Sequence, residues 1–267
     1  MTHAVRTALL VVVLVVTGGG FTGSVAASAS AAAAATGTPS GVRFDFESGP
    51  ARGRTASAYD SVATGRARLV VRSTGGTTVT VSAGPRGGRG VRFPAWADSG
   101  AGRAAVLVST PGSRAAVAPG ARAFSFGASF RLNPRSSGSA RDNGDNLVQR
   151  GTYGGRGQFK IQLDRRVPSC RVKGDAGART VKARRAVATN RWYAVTCRRT
   201  ATGLQLSVQG YAQGAPRTVT RVTGRTGNIV AGSHPFSVGG KVRAGGTPQP
   251  SSDQFNGAVD NVFLQLG

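Results

Sequence analysis

The segment Phe124-Ser125-Phe126-Gly127-Ala128-Ser129-Phe130-Arg131-Leu132 alternates large apolar residues with small or polar ones at a period of two. A strand with that pattern turns one face to a core and the other to water. Two further runs repeat it. Phe159, Ile161 and Leu163 alternate with Lys160, Gln162 and Asp164, and Leu204, Leu206 and Val208 alternate with Gln205, Ser207 and Gln209. Turn-forming clusters separate the runs, among them Gly75-Gly76, Gly87-Gly88, Asp142-Asn143-Gly144, Gly154-Gly155 and Gly245-Gly246. About 13 or 14 such runs lie between Val42 and Leu266, and no ten-residue segment there has helical periodicity. The pattern predicts an all-β chain built from two packed antiparallel sheets.

The 267 residues carry 35 Lys+Arg against 10 Asp+Glu, a formal charge of +25. The hydrophobic share of 39% is enough for a core, which argues against global disorder. The composition also excludes a coiled coil, a zinc ribbon and a multi-span membrane protein. Residues 1–29 read as a secretory signal peptide: Arg6 precedes the apolar run Ala8 to Val16, and small residues follow. That run is about nine residues, whereas a spanning helix needs about 20. An uncleaved anchor is the alternative. Residues 30–41 read as a flexible linker and 42–267 as a single domain, exported, soluble and monomeric, with no membrane span after cleavage. Cys170 and Cys197, the only cysteines, are expected to pair in that compartment. Two buried free thiols are the alternative, and with His234 they make a poor zinc set.

The ordered set of strands resembles the laminin-G-like branch of the concanavalin A-like lectin/glucanase sandwiches. The resemblance is carried by Val42 to Glu47, Phe124 to Phe130, Asn146 to Gly151, Gln158 to Ile161, Arg191 to Cys197, Leu204 to Gly210 and Phe255 to Val262. It implies a two-sheet antiparallel jelly-roll sandwich whose opening and closing strands lie side by side, and occasional structural calcium. The chain departs from the pattern at Gln209 and Asn261, where acids are common. The glucanases of this fold carry Glu-x-Asp-x-x-Glu on one strand. Glu47 is the single Glu here, and the patterns of the alginate-lyase relatives are missing too. The chain is therefore expected not to be an enzyme, since retaining hydrolysis needs a carboxyl pair.

Asp260 shares numerical parity with Val262, Leu264 and Leu266 and is expected to point inward with them. A buried carboxylate there must be paired or bound to a cation. Asp45, Glu47 or Asp60 could lie near it, and such oxygen ligands suit Ca²⁺. The candidate calcium set is Asp45, Asp60 and Asp260. The plainer reading has Asp260 bonded to backbone amides or an Arg. Asp142 to Asn146 is a second calcium-like stretch, with a plain polar loop as the simpler reading. Of the 35 basic residues 31 are Arg, which pairs bidentately with carboxylate, phosphate and sulfate. A charge this high concentrates polyanions, and an acidic extracellular or cell-wall polysaccharide is the natural partner outside a cell. Compositional drift is the alternative. No motif for specific nucleic-acid reading is present. Candidate ligand residues are Trp96, Tyr153, Arg150 and Arg156, with Tyr211 a weaker one, while Trp192 is expected in or near the core. The expected function is a noncatalytic carbohydrate-binding module; an extracellular structural or protein-interaction domain without a glycan ligand is the runner-up, and a polysaccharide-degrading enzyme lacking known motifs is the second alternative.

Overall fold

The alternating segment is a nine-residue strand, Phe124–Leu132, and its apolar set is buried throughout. The computed structural model describes residues 40–75, 77–95, 104–134, 145–249 and 253–267. Among them are sixteen strands and one short 3₁₀ turn, Pro111–Ser113. No helix among the described residues is long and apolar enough to cross a membrane.

The first sheet runs, in spatial order, β14 (Arg217–Thr223), β13 (Gly203–Gly210), β12 (Trp192–Arg199), β7 (Phe124–Leu132), β16 (Gly257–Leu266), β5 (Arg89–Arg92) and β4 (Thr80–Ala83), with β1 (Ser40–Phe44) also on β16. The second runs β11 (Gly177–Lys182), β10 (Val167–Gly174), β9 (Gln158–Asp164), β8 (Asp145–Gly151), β15 (Phe236–Val238), β6 (Ala104–Ser109), β3 (Arg68–Thr74) and β2 (Ala58–Asp60). Every strand pair is antiparallel. The expected all-β, two-sheet antiparallel sandwich is the fold observed. The three-residue strands β2 and β15 are too short to show a period in the sequence.

The inward faces meet in a core rich in phenylalanine. Phe126 on β7 and Phe159 on β9 sit edge to face with centroids 4.9 Å apart, so the contact joins one sheet to the other. Phe124 meets the same ring at 5.4 Å. Aromatic pairs at such distances add about 0.5–1.5 kcal/mol each beyond burial. A covalent link reinforces them: Cys170 on β10 and Cys197 on β12 form a disulfide with Cα atoms 6.1 Å apart and both side chains fully buried. Arg199, also on β12 and buried, donates from Nε to Thr226 Oγ1 and from its terminal nitrogens to the carbonyls of Ala121, Arg122 and Gly227. Part of the arginine excess thus works inside the fold, satisfying loop carbonyls that have no ladder partner.

The closing strand β16 keeps β7 on one side and changes partner on the other. Ala258 and Val259 pair with β5, while Val262 to Leu266 pair with β1. The opening and closing strands therefore lie side by side. Where the partner changes, the register on β7 slips: Asp260 opposes Ser129 but Phe263 opposes Gly127. One extra residue has entered β16, and Asn261 there has φ of +48°. This is a β-bulge, and Asn tolerates the left-handed conformation better than most side chains. The bulge overturns the parity expected of Asp260. Val259 and Val262 both face the core, and Asp260 lies on the opposite, outer face of the sheet with Ser129.

Candidate functional site

On β12 the inward set is Tyr193, Val195, Cys197 and Arg199, so Trp192 belongs to the other face. It is half-buried and outside the core cluster; in or near the core was the expectation. Its ring lies 5.5 Å from the Arg131 guanidinium on the neighbouring strand. Burial, and then the charge of nearby Arg92, push the Arg131 pKa below the usual guanidinium range. Tyr193, one residue on, stacks against Phe130 with centroids 5.8 Å apart, and its hydroxyl accepts the Ala188 N–H at 3.1 Å. That bond ties the Ala183–Val187 region, which leaves the second sheet, to the end of the first. Beyond β13 the Tyr211 N–H donates to the Trp192 carbonyl at 3.0 Å. Its hydroxyl is 2.7 Å from Ser129 Oγ, which fixes the ring.

These constraints leave a cleft of about 790 Å³ at one end of the sandwich. Trp192, Tyr193 and Tyr211 form its aromatic wall, and Arg184, Arg185 and Arg191 form an exposed cationic rim. No carboxylate among the described residues lines it. The size falls within the range of small-molecule sites, and the mix of flat apolar surface with a few charged groups is what such sites use. Tyr211 and Pro85 also border a second hollow of about 510 Å³ on the outer face, which reaches Asp260, Arg43 and Glu47. The Arg86 guanidinium lies 5.7 Å from the Tyr211 ring, where the two hollows meet.

In the second hollow Asp260 is 4% exposed. Its two oxygens accept from Asn261, Oδ1 from the backbone N–H at 2.6 Å and Oδ2 from Nδ2 at 2.9 Å. Arg43 Nη2 holds the Asn261 side chain at 2.8 Å. Burial pushes the Asp260 carboxyl up to about 7; the Asn261 N–H opposes that shift, Glu47 and Asp45 add to it, and Arg43 opposes it. A folded pKa above the unfolded value near 3.8 means that the folded protein holds the proton more tightly. Stability from this group is greatest below about pH 4 and falls as pH rises towards 7, by at most about 4 kcal/mol. Asp260→Asn should therefore gain on the parent as pH rises from 4 to 8 in thermal melts. A gap that stays constant across that range would show that Asp260 does not titrate there.

The proposed calcium set does not converge. Asp45 and Asp260 influence each other, but exposed Asp60 on β2 is ion-paired with Arg68 at 3.3 Å. Both Asp260 oxygens are already occupied by Asn261. Among the described residues no group of three or more His, Cys, Asp or Glu side chains is placed to hold a metal. The residues present do not fit calcium at this position.

The ligand candidates are scattered as well. Tyr153 and Arg156 share the exposed turn between β8 and β9, with the Arg171 guanidinium 4.5 Å from the Tyr153 ring. Neither lines the cleft. Arg150 is not a surface contact: it is 4% exposed and bonds to main-chain carbonyls. Trp96, the Asp142-Asn143-Gly144 part of the calcium-like loop and residues 1–29, read as a signal peptide, lie outside the described residues. The cleft residue missed in the sequence is Trp192. Its odd spacing from Cys197 placed it on the outer face, a signal that was available.

No protein-family model matches this sequence, and no curated protein matches it. Among solved structures, Domain 4 of AbnA, a GH43 extracellular arabinanase from Geobacillus stearothermophilus solved in complex with arabinotriose, aligns over 86% of this chain and 93% of its own. The identity is 9% and the TM-score 0.52. Tailspike protein 2 from the Escherichia coli O157:H7 bacteriophage CAB120 aligns over 73% of this chain at 12% identity and a TM-score of 0.50. This chain spans about a quarter of the tailspike's length, 25%. The likeness is one of fold alone: an antiparallel two-sheet β-sandwich, as the strand pattern predicts.

Proposed function

We propose that the chain is a secreted, noncatalytic carbohydrate-binding module that acts as a monomer on an anionic extracellular or cell-wall glycan. The observation that carries this reading is the cleft at Trp192. Flat aromatic faces suit the apolar face of a sugar ring, and the rim arginines suit carboxylate or sulfate groups. A lining with no carboxylate among the described residues supports binding over hydrolysis there. The arabinanase domain, whose structure holds arabinotriose, has a sandwich of the same kind. A buried disulfide between the sheets fits an oxidising compartment.

The test is binding of residues 30–267 to polygalacturonate, alginate and heparin, with dextran as the neutral control, at 50 and 500 mM NaCl. Selective binding to one acidic polymer, weakened about tenfold by salt but not abolished, is the expected result. Equal binding to every polyanion that disappears at high salt would reduce the effect to net charge. No binding at all would favour a protein-interaction domain, and shortening of any polymer would overturn the noncatalytic assignment.

A further inference from the structure

A second pocket, of about 280 Å³, lies beside the second sheet between β3, β6 and the segments around His234 and Gly245. Arg150, at the end of β8, forms part of its wall. Its Nε donates to the His234 carbonyl at 3.1 Å, and its Nη1 donates to the carbonyls of Arg114 at 3.3 Å and Val117 at 2.5 Å. Nη2 has no hydrogen-bond partner among the described residues. Carbonyls satisfy N–H groups but leave the positive charge uncompensated, and buried charges are normally paired. Among the described residues no acidic side chain lines the pocket. Instead Arg72 and Arg114, both exposed, add two more guanidinium groups, with His234 and the hydroxyls of Thr110 and Ser233 beside them.

We propose that this pocket binds a compact tetrahedral oxyanion, a sulfate or phosphate group, with Arg150 as the buried counter-charge and Arg72 and Arg114 as the exposed arms. An oxyanion supplies the compensation that no residue of the pocket provides, and guanidinium groups match its geometry. Burial first, and Arg114 second, push the Arg150 pKa down to about 10. The pocket shares no residue with the Trp192 cleft, so it stands independently of the glycan reading.

Thermal melts and calorimetry of the full chain test it, with sodium sulfate, sodium phosphate and glucose 6-sulfate each compared with sodium chloride at equal ionic strength. The expected result is a saturable rise in melting temperature with the oxyanions. The apparent affinity for free sulfate and phosphate should fall at least tenfold in the Arg72→Ser/Arg114→Ser double variant and stay unchanged in Trp192→Ala, and glucose 6-sulfate is compared in the Trp192→Ala background so that the aromatic cleft does not contribute. The exposed pair is the deciding variant, because Arg150→Met also breaks three backbone contacts. Glucose 6-sulfate binding more tightly than free sulfate would identify a sugar-borne group, and equal affinities a free anion. Sulfate indistinguishable from chloride, or a double variant that keeps the full response, would overturn the proposal.

Discussion

Replacing Cys170 and Cys197 together with Ala should lower the melting temperature by about 6–16 °C. The bond closes a loop of sequence separation 27. Chain-entropy estimates for such a loop give about 3–4 kcal/mol, and about 2–4 °C accompanies each kcal/mol in a domain of this size. The position of the bond enlarges its importance. Cys170 belongs to the second sheet and Cys197 to the first, so the bond crosses the core and does not tie neighbours in one ladder. Calorimetric melts of the oxidised parent and of the double variant decide the matter. A shift below about 2 °C would mean that Phe124, Phe126 and Phe159 hold the sheets together without covalent help.

Trp192→Ala should weaken binding of the preferred acidic glycan about 30-fold while moving the melting temperature by less than about 3 °C. Truncating a central aromatic anchor costs about 2 kcal/mol or more, and each 1.4 kcal/mol is tenfold in affinity. The stability change is small because the ring is half-buried on the outer face and its neighbour Tyr193, not Trp192 itself, stacks in the core. Tyr211→Phe is the companion variant: it removes the hydroxyl near Ser129 but keeps the ring, and binding should stay within about threefold of the parent. Unchanged affinity in Trp192→Ala would remove the cleft as the binding site. Titration calorimetry alongside thermal melts separates lost binding from lost folding.

The period of two between Phe124 and Leu132 was enough to read the strand, its buried face and the two-sheet class. The same rule failed at Asp260 because it assumes unbroken register. One inserted residue at Asn261 reversed the faces downstream, and nothing in the local sequence marks a bulge unless the partner strands are known. The pairing of Cys170 with Cys197 was legible from count and compartment. The cleft was not, since Trp192, Tyr211 and the Arg184-Arg185 pair come from separate segments that only the sandwich brings together. Arg150 was legible as a candidate ligand residue but not as a buried one: it is a charged residue in a stretch that reads as a strand end, and composition does not reveal that carbonyls of distant loops hold it.

The side-by-side course of β1 and β16 has a consequence for display. Ser40 pairs with Leu266, and Leu266 pairs with Phe124 at the start of β7, where Gly267 N–H also donates to the Ala123 carbonyl at 2.9 Å. Trp192 pairs with Arg131, near the far end of the same strand, about 25 Å away at the rise of an extended chain. Ser40 and Gly267 therefore both lie at the pole opposite the aromatic cleft. A tether at either point would hold the sandwich by its base and point the cleft outward, so fusion to a surface, a bead or a second protein at either end should leave access to polymeric glycans unobstructed.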